Sequence, residues 1–189
     1  KKPNIVLVFK GQQLSQKIIE YIKGRSDLLM NYNLDHPYLF YDRGSGNKNV
    51  LESIGLYDLY ISYSNSIVFG LRNKFHINAQ RLPFGYDDQA IRGINIDDIK
   101  TTDYYALIGG WDKKRSSYIE ELSIDNLKIF GKEEWKERNR NVPYILERYQ
   151  GKGVYNDEYY IEMGRAMGVF NIMRDQNVKE SSHNMRTFE

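Results

Sequence analysis

The chain has 189 residues, enough for one ordinary domain or two small ones, and its 41% hydrophobic and 28% charged residues support a packed core rather than disorder. A formal net charge of +2, from 27 basic and 25 acidic side chains, gives no electrostatic reason to expect nucleic acid or an anionic membrane as the main partner. The absence of cysteine excludes disulfides and zinc–thiolate sites, and the 3 histidines (His36, His76, His183) are too scattered for a histidine metal motif.

The longest apolar runs, Ile5–Phe9 and Ala166–Phe170, fall far short of the roughly 20 residues of a membrane helix, so no membrane span is expected. Lys1-Lys2-Pro3-Asn4 enters a strand-like run without an initiator Met or a signal-peptide segment, and Arg186-Thr187-Phe188-Glu189 stops without a terminator. Both ends look cut, and the chain is expected to be an internal piece of a longer protein.

In chain order, Asn4–Phe9 predicts a buried strand that ends in the turn Lys10-Gly11. Leu14, Ile18, Ile19 and Ile22 follow at helical spacing, with Gly24 in the C-cap place. Leu28–Tyr32 is a second strand, running into Asn33-Leu34-Asp35-His36-Pro37, and Asp42–Asn49 is a loop before a brief helix over Val50–Ile54. A strand over Leu59–Tyr63, a helix over Ser66–Lys74 and a strand over Gln80–Phe84 complete the first half. The polar stretch Tyr86–Asp103 has no sustained apolar period, and residues 87–103 are taken as a linker between halves spanning 1–86 and 104–189.

A fresh unit starts with the strand Tyr104–Ile108, the turn Gly109-Gly110-Trp111 and the helix Lys113–Leu122 behind an Asp112 N-cap. Leu127–Phe130 and Gly131 form the next strand and turn; Val142–Tyr149 is ambiguous between helix and strand. Asn156 is placed to cap a helix over Asp157–Gly164, and Ala166–Met173 is expected as a buried strand. Buried strands alternating with helices predict an α/β fold of two parallel-sheet, Rossmann-like domains, both incomplete.

Four sets of residues are candidates for chemistry. At Gly109-Gly110 the backbone can approach a ligand, and Lys113, Lys114 and Arg115 place cations in a helix first turn where they oppose the dipole; an anion there relieves that cost. The spacing is neither a Walker A loop nor a complete G-x-G-x-x-G, and a plain turn with solvated lysines is the even alternative. Asp35 follows a parallel strand on the edge where open α/β sheets bind ligands, and suits a general base or a hydroxyl acceptor; an Asx-type turn before Pro37 is the plainer explanation. Lys10-Gly11 has the same topological position, its alternative being a solvated lysine at a turn. Ser181, Ser182, His183, Asn184 and Arg186 suit a phosphate or sugar, against the ordinary reading of an exposed polar loop. No Asp-x-Asp pair occurs, so the carboxylate metal motif of one large class of sugar-nucleotide transferases is missing.

The order Asn4–Lys10-Gly11, Asn33-Leu34-Asp35-His36-Pro37, Tyr57-Asp58-Leu59, Leu82-Pro83-Phe84-Gly85-Tyr86-Asp87, Ile108-Gly109-Gly110, Ile129-Phe130-Gly131, Val169-Phe170-Asn171-Ile172 and Asn184-Met185-Arg186-Thr187-Phe188-Glu189 resembles the CgeB-like, spore-maturation-type glycosyltransferases over nearly the whole chain. That resemblance implies the two-Rossmann GT-B fold and a nucleotide-sugar donor held mainly by the C-terminal half. By the same analogy Gly109 and Gly110 border the donor phosphates with Lys113 or Arg115 neutralising them, and Phe130-Gly131 lies near the base. Asn184 and Arg186 face the diphosphate, Glu189 accepts from the ribose hydroxyls, and Asp35, on the N-terminal half, faces the acceptor or the reacting sugar. No dedicated metal or other cofactor is implied, and the acceptor is open among glycan, protein and small molecule. A cytoplasmic enzyme is the first expectation. The rival is a non-catalytic spore-surface or envelope assembly protein that keeps the fold and nucleotide binding.

Overall fold

The computed structural model describes residues 2–40 and 46–187; Tyr41, the part Asp42–Ser45 of the expected loop, Phe188 and Glu189 lie outside the described residues. The chain is α/β and divides into two compact units, the first running to Phe84 and taking in Asp175–Asn184, the second comprising Gly85–Arg174 and the residues from Met185.

The first unit carries a parallel sheet in the order β1 (Ile5–Phe9), β2 (Leu28–Asn33), β3 (Leu59–Ser62) and β4 (Ala79–Arg81). Helices α1 (Gln16–Lys23), α2 (Lys48–Ser53) and α3 (Asn65–Phe75) connect consecutive neighbours, and right-handed crossovers in that order put all of them on one face. Leu14, Ile19 and Ile22 therefore meet Val8, Leu29 and Tyr60 in one core, where full burial of a residue such as Ile19 contributes roughly 1.5–3 kcal/mol. The expectation of a wholly buried first strand is corrected: Val6 and Val8 face this core, while Ile5, Leu7 and Phe9 are exposed on the other side of an edge strand. The register pairs those three with Leu28, Met30 and Tyr32, so the helix-free face of the sheet is apolar.

The second unit holds a parallel sheet in the order β6 (Leu127–Phe130), β5 (Tyr105–Ile108), β7 (Gly168–Val169). The segment expected as a linker is partly helical: α4 (Asp88–Arg92), capped by Asp87, packs with α8 (Asn156–Arg165), and Thr102 N–H donates to the Arg165 carbonyl at 2.8 Å. Helix α5 (Lys113–Leu122) follows β5, and Asp112 caps it as expected, its Oδ1 accepting from Lys114 N and Arg115 N. A short helix α6 (Glu134–Arg138), which the sequence did not indicate, buries Trp135. The ambiguous stretch is α7 (Pro143–Arg148), opened by a proline at its first position, where a missing N–H costs nothing. Asn156 does not cap α8; it takes a left-handed φ of 51°, and Tyr155 occupies the cap position without a side-chain bond.

The strand expected over Ala166–Met173 is also shorter. Phe170 N–H still bonds the Ala106 carbonyl beyond β7, but at Ile172 the carbonyl is taken by the Arg115 guanidinium instead of a strand partner. The chain then leaves the sheet, forms α9 (Asp175–Lys179) with the first unit, and returns at Met185.

Candidate functional site

In the second unit, β5 ends in Gly109, whose φ of 154° suits glycine, and the turn is gripped from behind. Trp135 Nε1 donates to the Gly109 carbonyl at 2.8 Å. Gly131, at the end of the neighbouring β6, sits so close that a Cβ would stand 2.5 Å from that carbonyl oxygen and 2.4 Å from the Trp135 ring. The glycine of Ile129-Phe130-Gly131 is thus explained by packing against the loop after β5.

Three guanidinium groups converge on this turn. Arg115, 8% exposed, donates through Nε to the Ile172 carbonyl at 2.8 Å and through Nη1 to the Gly110 carbonyl at 3.2 Å. A Cβ on Gly109 would lie 3.4 Å from Arg115 Nη1 and 3.6 Å from Arg186 Nη1, and one on Gly110 would lie 3.7 Å from Arg174 Nη2. Arg186 is steadied by Tyr159, whose hydroxyl accepts from its Nε at 3.2 Å. Burial lowers the Arg115 pKa to about 10, with the positive charges of Arg174 and Arg186 adding to the effect and Asp112 opposing it. Like charges gathered at a half-buried turn repel one another, and an anion with several oxygens is the ligand that relieves this.

The helix end contributes less than its position suggests. Asp112 already occupies the amides of Lys114 and Arg115, so its own carboxylate is the anion nearest the helix dipole. Lys113 is exposed on the first turn. The Phe130 side chain is buried with Tyr104, Ala106, Ile108 and Val154 in core, while Gly131 borders an open cavity of about 360 Å³ whose other walls include Lys132, Lys136, Tyr149, Lys152 and Tyr155.

The first unit gathers a second polar cluster at the C-terminal ends of β1 to β3. Lys10, in a left-handed conformation with φ 57°, ion-pairs with Asp35 at 2.5 Å. The Asx-type turn is present, Asn33 Oδ1 accepting from Asp35 N–H at 2.9 Å. His36 is buried; its Nδ1 accepts from the amides of Tyr38 and Leu39, which leaves Nε2 as the proton-bearing nitrogen of the neutral ring. Burial, and then the charge of Lys74, hold its pKa down at about 4. Tyr63 donates to Glu180 Oε2, and burial, above all, holds the tyrosine protonated far beyond its ordinary range.

The expected donor residues are thus divided. Gly109, Gly110, Arg115 and Arg186 come together in the second unit, whereas Asn184 belongs to the segment that packs with the first unit. Glu189 lies outside the described residues. Sequence reasoning missed Arg174 and Glu180. Arg174 was findable as a cation one step past an apolar run; Glu180 sits in a polar stretch with nothing to distinguish it. Among the described residues no group of three His, Asp or Glu side chains is placed to hold a metal ion, and no helix is long and apolar enough to cross a membrane.

No family model matches the chain, and no curated protein matches it. Among solved structures, the Glycosylation Associate Protein (Gap123) complex from Streptococcus agalactiae is similar at a TM-score of 0.48 and 13% identity, covering 95% of this chain and 40% of that one. This chain therefore spans 40% of the length of the chain it matches.

Proposed function

We propose that the second unit binds the diphosphate of a nucleoside-diphosphate sugar at the turn after β5, and that the whole protein transfers the sugar to an acceptor, as the resemblance to CgeB-like glycosyltransferases implies. The observation that carries this reading is the convergence of Arg115, Arg174 and Arg186 on Gly109-Gly110. Guanidinium groups held in advance at a leaving diphosphate stabilise the charge that develops as the glycosidic bond breaks. The cavity beside Gly131 is the place this reading gives to the base, with Tyr149 and Tyr155 on its walls.

The alternative is a descendant that binds the nucleotide without turnover, and one observation favours it: the carboxylate best placed to act as a base, Asp35, is already ion-paired with Lys10. Incubation of the full-length protein with a panel of nucleoside-diphosphate sugars separates the two. Release of nucleoside diphosphate supports transfer, binding alone supports the alternative, and the absence of binding to any member, with Arg115→Ala indistinguishable from wild type, rejects both.

A further inference from the structure

The loop between β5 and α5 is braced at both ends by one short helix of the same unit. Trp135 on α6 is wholly buried, and its Nε1 donates to the Gly109 carbonyl at 2.8 Å. Asn139, at the end of α6, donates through Nδ2 to the Trp135 carbonyl at 2.8 Å. Ser116 Oγ in turn donates to Asn139 Oδ1 at 2.6 Å, and both side chains are buried. Gly109 ends β5 and Ser116 lies in the first turn of α5, so α6 holds the loop before and after the glycine pair. Gly131 leaves room for this contact, since a Cβ there would stand 2.6 Å from Trp135 Nε1.

A trans peptide is planar, and its C=O and N–H point in opposite directions. The Gly109 carbonyl points at the indole, so the Gly110 N–H points away from it. Among the described residues that N–H donates no hydrogen bond. Two amides of α5 are by contrast occupied, since Asp112 Oδ1 accepts from Lys114 and Arg115. The atoms nearest a Cβ on Gly109 or Gly110 are guanidinium nitrogens of Arg115, Arg186 and Arg174, not atoms of the indole.

We infer that Trp135 is a positioning residue for the anion site: by holding the Gly109 carbonyl it fixes the Gly109–Gly110 peptide so that the Gly110 N–H donates to a phosphate oxygen held among the guanidinium groups. This inference rests on the anion-binding reading above and adds a neutral backbone donor to it.

The two kinds of donor do different work. Guanidinium groups supply charge at the ends of long side chains, which lose rotamer freedom when they bind. A backbone N–H fixed in advance loses none, and its hydrogen bond to an anionic oxygen is stronger than one to a neutral acceptor. Glycine on both sides of a peptide would otherwise let it rotate and turn the carbonyl oxygen toward the anion. The indole opposes that rotation, because a rotated peptide leaves the buried Trp135 N–H without its partner.

The test is a nuclear magnetic resonance titration of the full chain, its glycines labelled with nitrogen-15, using inorganic pyrophosphate on wild type, Trp135→Phe and Arg186→Ala. In wild type the Gly110 amide proton is expected to move downfield as pyrophosphate saturates the site. Phenylalanine keeps an aromatic ring and removes the N–H; it is expected to weaken pyrophosphate about tenfold and abolish that shift. The salt dependence of binding, which the arginines set, is expected to stay as in wild type. Arg186→Ala is expected to show the reverse, a flatter salt dependence with the Gly110 shift retained. A Gly110 amide that does not shift in wild type, or Trp135→Phe binding with wild-type affinity and shift, overturns the inference and leaves the anion site standing. A Trp135→Phe variant that loses affinity and salt dependence together also overturns it, because the indole then supports the whole cluster and not one peptide. Failure of wild type to bind pyrophosphate overturns both readings. Should phenylalanine unfold the chain, solvent exchange of the Trp135 indole proton in wild type decides: pyrophosphate slows it if the indole-held peptide is the binding form, and unchanged exchange overturns the inference.

Discussion

The Gly131 Cα and the Gly109 carbonyl oxygen approach so closely that the position a Cβ would take at residue 131 is 2.5 Å from that oxygen. Two adjacent parallel strands, β5 and β6, thus end in glycines that pack turn against turn, with the Trp135 indole holding the same carbonyl. The loop after β5 owes its shape to a buried aromatic that the sequence places in no recognisable motif.

Gly131→Ala follows directly. The methyl group meets backbone and a fully buried ring, neither of which can swing away, so the substitution is expected to destabilise the protein by about 1–3 kcal/mol. Chemical denaturation measures it. An unchanged midpoint would mean that the turn relaxes without cost and that Gly131 does not fix the geometry of Gly109.

Arg115 binds two carbonyls from its own unit as well as facing the turn. Arg115→Ala therefore removes structure and ligand contact together, and a fall in stability alone proves little. Arg186→Ala is cleaner, since the hydrogen bond its Nε donates goes to a side chain, the Tyr159 hydroxyl. It is expected to weaken nucleoside diphosphate by roughly 1–3 kcal/mol and the free nucleoside hardly at all, the difference measured by calorimetry. Equal losses for both ligands would place Arg186 away from the phosphates.

His36 predicts a pH dependence of stability. Its pKa falls from an ordinary 6.5 to about 4 in the folded chain, so the unfolded chain binds the proton more readily. The contribution is complete above about pH 6.5 and is lost as pH drops toward 4, amounting to about 3 kcal/mol in full. Denaturation midpoints at pH 7 and pH 4.5 are expected to differ more for wild type than for His36→Gln. An equal difference for the two proteins would show that His36 is not the group responsible.

The α/β fold was legible because alternating apolar strands and amphipathic helices carry their periods locally: Leu14, Ile18, Ile19 and Ile22 announce α1, and Asp112 announces the cap of α5. The failures share a cause, which is that a distant partner decided the outcome. Ala166–Met173 has the composition of a strand, yet the Ile172 carbonyl goes to Arg115. Ile5, Leu7 and Phe9 look like core residues, but an edge strand with helices on one face leaves them exposed. The candidate site divides in the same way. Gly109, Gly110 and Arg115 lie within one turn of chain and could be found together, whereas Arg174, Trp135 and Glu180 reach their places only through tertiary packing.

Asp35 tests whether the polar edge of the first sheet does chemistry. Its backbone N–H is fixed by Asn33 and its carboxylate by Lys10, which are also what a purely structural turn would provide. Asp35→Asn keeps the size and the Asx turn and removes the charge. If Asp35 takes a proton from the acceptor, the variant is expected to bind nucleoside diphosphate normally and to lose transfer by about 10²–10⁴-fold, the usual contribution of a positioned general base. Lys10→Met serves as the companion, since it removes the ion pair and leaves the carboxylate. A transferase in which Asp35→Asn retains full turnover would assign the Lys10–Asp35 pair to the stability of the β1 and β2 turns, and the base would then have to come from elsewhere in the full-length protein.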